Sequence, residues 1–198
     1  MKTWTRVGFV IALLLVLPLV SCVPQLSLQA WYGEKELVLE PGLEGTWLFV
    51  DVDNKTDDSE VWNFVQNLDK GYTLSFEDAE QPGLRELWEL RLFRVNGQLF
   101  ADVVQLASKY KDTDLAEVFI PAHMVGTVKL EADKISMRFL DDEWTAKAVR
   151  ANPALIKHEI VGDSAVLTAA TVELREFALA HAGDDKAFAA KFNFVRKK

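Results

Sequence analysis

From Leu43 onward, apolar and polar residues alternate with a period of two along most of the chain. Tyr72, Leu74 and Phe76 alternate with Thr73, Ser75 and Glu77. Trp88, Leu90 and Leu92 alternate with Glu89 and Arg91, and Ile135, Met137 and Phe139 with Ser136 and Arg138. Successive side chains of a strand point to opposite faces, so each run predicts a strand with one face on a core and one toward water. Further strands are expected at Thr46–Val52, Val61–Leu68, Ala122–Glu131, Lys157–Val161, Ser164–Thr168 and Lys191–Arg196. Leu87–Val95 and Gln98–Gln105 flank Asn96-Gly97, a pair that tolerates positive φ at both positions, which predicts one long hairpin. Ala132-Asp133 and Gly162-Asp163 supply further turns. The strand order is an antiparallel meander, without the strand–helix–strand alternation of a parallel sheet.

Three short helices are expected among the later strands. One follows Asp141-Asp142 and stops before Asn152-Pro153, with Asp141-Asp142-Glu143 meeting the positive end of its dipole. The second starts at Thr171 as N-cap, with Glu173 in its first turn. Leu174, Phe177, Ala178 and His181 then fall at i, i+3, i+4 and i+7, one apolar stripe, and Gly183 ends it. The third is a turn or two after Asp184-Asp185. The fold class is therefore mainly β, closing into a barrel or a strongly curved sheet, with two or three short helices near the C-terminus.

The first 22 residues follow a different pattern. Lys2 and Arg6 precede an apolar run from Val7 to Val20, shorter than the roughly 17 to 25 residues a spanning helix needs. A basic region, a short apolar run and a small residue before a cut describe a signal peptide. The run closes on Leu19-Val20-Ser21-Cys22, and Cys22 is the only cysteine in the chain. These four residues resemble the lipobox of bacterial lipoproteins at every position. The resemblance implies that residues 1–21 are a cleaved signal peptide and that the Cys22 thiol carries diacylglycerol, with fatty acyl chains such as palmitate. It further implies an exported protein anchored in the membrane of the cell envelope. Val23, where an Asp commonly retains such proteins at the inner membrane, points to the periplasmic face of the outer membrane in a Gram-negative host. Two or more acyl chains make such an anchor stable.

Residues 22–42, with few periodic positions before the turn at Pro41-Gly42, are expected to tether a single β-rich domain over residues 43–198. Trp31 and Tyr32 interrupt the tether and are expected to pack back on the domain. One cysteine excludes an intrachain disulfide, so the core alone must hold the domain together. The formal net charge is −8, and removing the two cations Lys2 and Arg6 takes it to −10. Arg196-Lys197-Lys198 is the single basic cluster, which argues against a nucleic-acid partner.

Gly45-Thr46-Trp47 opens the first long strand. It resembles the Gly-x-Trp opening of lipocalins and related small barrels, in which the Trp plugs one end of the core and a basic residue near the last strand packs across it. The last strand offers Arg196 for that role. The layout is also similar to that of uncharacterised bacterial lipoproteins with a Gly-Thr-Trp opening and a penultimate helix. The resemblance implies a lipocalin-like barrel, with Gly45, Trp47 and Arg196 as its structural residues. An eight-stranded barrel either holds one small ligand or is filled by its own side chains.

Candidate chemistry is sparse. No nucleophile elbow or Ser/His/Asp arrangement is legible, so no catalytic residue is named. His123, His158 and His181 have no ligand-like spacing, and no metal or cofactor is expected. His123 and His158 could still meet across strands, and His181 reads as a boundary residue. The acidic run Asp51 to Glu60 fails as a calcium loop, because Thr56 replaces the required glycine and Trp62 the bidentate Glu. It reads as a solvated hairpin. Two functions remain: a membrane-anchored barrel that binds or carries a small hydrophobic ligand, or a structural lipoprotein with a filled core that docks to an envelope partner. Ligand-contacting residues are not legible.

Overall fold

A computed structural model of the chain describes residues 23–51, 53–78, 85–106 and 120–198. The signal peptide and Cys22 lie outside the described residues. The elements are β1 (Leu26–Ser27), β2 (Leu37–Val38), β3 (Gly45–Val50), β4 (Thr56–Gln66), β5 (Tyr72–Asp78), β6 (Arg85–Val95) and β7 (Gln98–Gln105). After these come β8 (His123–Leu130), β9 (Lys134–Phe139), α1 (Asp142–Ala151), β10 (His158–Val161), β11 (Ser164–Leu167), α2 (Thr171–His181) and β12 (Ala190–Arg196). A 3-10 turn, Pro41–Leu43, precedes β3.

Strands β3 through β9 pair each with the next, and β12 fills the remaining gap between β9 and β3. Every one of these pairings is antiparallel, so eight strands close into a lipocalin-like barrel without free edges. The long hairpin turns at Asn96 (φ 48°) and Gly97 (φ 84°), both in the left-handed region that a type I′ turn requires.

The period-two pattern sorts the inward residues. Trp47, Phe64, Leu74, Leu90, Val103, Met137 and Phe194 belong to one buried cluster inside the barrel. A second core lies on the outer wall. Phe93 and Phe100, stacked at 5.3 Å, point outward from β6 and β7. There α1, β11, α2 and the N-terminal segment cover them, contributing Val149, Leu167, Leu174, Phe177 and Trp31.

The segment expected as a tether is packed against the domain over residues 23–42. β1 lies between β8 and β11, β2 pairs with β6, and Trp31 is 0 % exposed. Large aromatic side chains bury about 150–250 Å² each and dominate core energetics, so Trp31 is a main anchor of this segment. Two details of the helices also differ. Residues 185–188 form turns rather than a third helix. Thr171 is the first helical residue and Ala170 the cap; Glu173 compensates by accepting the Ala170 N–H at 3.0 Å. At α1 the cap is Asp141, whose side chain accepts from Trp144 N at 2.7 Å. The acidic run is split: Asp51 Oδ1 accepts from the N–H groups of Asp53 and Lys55 in a tight turn, and β4 starts at Thr56 rather than Val61.

Candidate ligand site

The two ends of the barrel differ. At one end the 3-10 turn crosses the opening and buries Leu43 completely. Trp47 lies beneath it and donates its indole N–H to Leu43 O at 2.9 Å. Arg196, directly opposite Trp47 in the β3–β12 register, places its guanidinium 4.1 Å from the indole centroid. The same guanidinium donates to Gly42 O at 2.6 Å, Glu44 O at 3.1 Å and Ala132 O at 3.3 Å. Gly45 (φ 131°) makes this approach possible, because a Cβ there would lie 2.6 Å from Arg196 Nη1. Tyr72 completes the plug: its hydroxyl accepts from Glu40 N at 2.9 Å and donates to Glu40 O at 3.0 Å. Burial raises its pKa above the ordinary 10.0.

At the opposite end β3 turns into β4, and β5, β7 and β9 finish. A cavity of about 220 Å³ occupies this half of the interior. Trp62 on β4, Trp88 and Leu90 on β6, Val103 on β7, Met124 on β8 and Phe192 on β12 contribute to its wall. The lining is apolar throughout and includes Pro24 from the N-terminal segment. Drug-sized ligands occupy roughly 300–1,000 Å³, but an apolar cavity of about 150 Å³ already stays dry and takes up benzene. The space therefore suits one small apolar molecule. Among the described residues neither indole N–H of Trp62 or Trp88 has an acceptor, although both nitrogens are buried. A buried donor left unpaired costs about 1–3 kcal/mol.

A second recess, on the outer wall of the barrel, is lined by Tyr32, Glu89, Arg91, Asp102 and His123 among others. Asp102 is 2 % exposed. Its carboxylate accepts the Trp31 N–H at 2.8 Å and meets His123 Nδ1 at 2.8 Å. Burial pushes the Asp102 pKa up; the bond and charge of His123 and the Trp31 N–H oppose that rise, and Glu89 adds to it. Arg91 bonds Glu89 and lies 5.7 Å from the Tyr32 ring centroid. A carboxylate–imidazole pair can orient a base, but the described lining holds no Ser, Thr or Cys for it to activate. The visible work of Asp102 is to fasten the Trp31 segment to β7.

The remaining histidines are dispersed. His158 on β10 is separated from His123 on β8 by β11 and β1, so the two do not meet. His181 packs against Trp144 and Phe177 at 4.9 and 4.8 Å, and its partial burial lowers its pKa below 6.5. Among the described residues no three His, Cys, Asp or Glu side chains converge on a metal position. Trp88 was legible as an inward strand residue, but the void beside it was not. Asp102 was missed because it interrupts the apolar run Leu99 to Val104 without any motif around it. Comparison with family models, curated proteins and solved structures finds no match for this chain.

Proposed function

We propose that this chain is a lipid-anchored envelope protein whose barrel holds a small apolar molecule. The observation that carries the reading is the apolar cavity of about 220 Å³ in the half of the barrel away from the Trp47 plug. An unfilled interior favours a binding barrel over a docking protein with a filled core.

The N-terminal segment links the cavity to the anchor. Asp142 N donates to Val23 O at 3.1 Å, Gln25 N donates to Leu140 O at 2.7 Å, and Pro24 contributes to the cavity wall. Cys22 is two residues from Pro24, and a chain extends at most about 3.6 Å per residue. Acyl chains on Cys22 would therefore enter the bilayer beside the cavity half of the barrel, and an apolar ligand could pass between membrane and cavity with little exposure to water. The acidic chain gains little from anionic headgroups, so the acyl chains supply the attachment.

The test is retention of n-octane by the purified full chain, measured by equilibrium headspace partition. Saturable retention by the wild type and its loss in Val103→Phe, which narrows the cavity, support the reading. No saturable retention by the wild type contradicts it.

A further inference from the structure

The apolar lining of the cavity continues past the barrel wall. Met124 on β8 belongs to that lining, and Leu26 on β1 lies directly opposite it in the antiparallel register. Leu26 is also paired with Val166 on β11. Residues opposite one another across strands share a face of the sheet, so Met124, Leu26 and Val166 form one apolar row leading outward from the cavity. The row exists because β8 changes partner along its length. Residues 126–130 pair with β9, whereas His123 and Met124 pair with β1. Pro24, bridged to Asp141 just past the end of β9, lies at that seam and lines the cavity as well.

The row reaches the surface beside the N-terminal end of the described chain. Val23, Leu26 and Leu28 are 49, 37 and 44 % exposed. Single exposed apolar residues are ordinary, but these three follow closely on a segment with no charged side chain from Val23 to Gly33. Glu159 on β10, opposite Val166, marks the charged rim of the row. Cys22 directly precedes Val23, so acyl chains on its thiol bring this strip to the bilayer. Without Lys or Arg the segment has nothing to offer an anionic headgroup, and its match is to hydrocarbon.

We propose that Val23, Leu26 and Leu28 seat in the acyl region of the bilayer, so that the row from Leu26 to Met124 opens the cavity toward the membrane interior. The proposal rests on lipidation at Cys22 and on the cavity being a ligand site, and it adds the surface of the domain that meets the membrane. An apolar face lying in the interface settles roughly 5–10 Å into the boundary between headgroups and acyl chains.

The experiment uses the chemistry of the one native cysteine. With the Cys22 thiol acylated in the mature chain, Leu28→Cys introduces a single free thiol. The mature chain, labelled there with an environment-sensitive fluorophore, is reconstituted into phosphatidylcholine vesicles with and without lipids spin-labelled near the headgroup end of the acyl chain. Leu68→Cys, fully exposed between β4 and β5 at the plugged end, is the control. The label at position 28 is expected to be quenched severalfold more strongly than the label at position 68. Equal quenching at the two positions overturns the bilayer contact. A position-28 label shifted to shorter wavelength without quenching also overturns it, because a protein then covers the strip. Saturable n-octane retention by the same preparations leaves the cavity reading in place when the contact fails, and its absence overturns both. A mature chain lacking the mass of the acyl groups overturns the anchor and the contact together.

Discussion

Removing Arg196 should open the plugged end of the barrel. In Arg196→Ala the Trp47 face loses a cation at 4.1 Å, worth about 0.5–2 kcal/mol depending on how far it is desolvated. Three carbonyls, on Gly42, Glu44 and Ala132, lose a charged donor. Hydrogen bonds to charged groups contribute about 1.5–3 kcal/mol each, but these lie at the solvent edge, where water can replace them. The combined cost is expected at about 2–4 kcal/mol. Gly45→Ala supplies the control. Its φ of 131° disfavours any side chain, and the new Cβ would displace the guanidinium. Backbone strain of this kind costs about 1–3 kcal/mol. Because Gly45→Ala already dislodges Arg196, adding Arg196→Ala to it should cost less than in the wild type. Urea unfolding of the wild type, both single variants and the double variant measures the coupling. Additivity within about 0.5 kcal/mol, or an Arg196→Ala cost below that figure, would refute the clamp.

Asp102→Asn tests the polar recess through pH. The folded pKa of Asp102 is raised above its ordinary 3.8, so the folded state holds the proton more tightly than the unfolded state. The stability this contributes is fully present below 3.8 and is lost as pH rises through the folded pKa. Asparagine does not titrate, so the stability of the variant relative to the wild type should rise with pH across that window; parallel curves would contradict the buried-carboxylate account. Cys22→Ser should leave a folded protein that no longer fractionates with membranes. A variant that misfolds or stays membrane-bound would count against lipidation.

The barrel was legible because the inner face of each strand is almost purely apolar, and Asn96-Gly97 pinned the register of the longest hairpin. Gly45, Trp47 and Arg196 were singled out by resemblance; the structure adds the reason a glycine stands two residues before Trp47, since the guanidinium occupies the space of its missing Cβ. The outer core was less legible. Phe93 and Phe100 face outward, and a period-two reading assigns that face to water. The unbroken run Leu99-Phe100-Ala101 was the available signal, since a strand buried on both faces loses its alternation. The N-terminal segment read as a tether because its contacts are two-residue strands and single large side chains, too short to set up a period. The cavity was invisible because it depends on how far facing side chains reach across the barrel, a property of packing rather than of order along the chain.

The most direct measurement is native mass spectrometry of the full-length protein extracted gently from the membranes of the cells that make it. The account predicts a species heavier than the diacylated chain by one small neutral molecule, released by organic extraction and absent from Val103→Phe. A wild-type spectrum showing only the diacylated chain, identical in pattern to that of Val103→Phe, would contradict it.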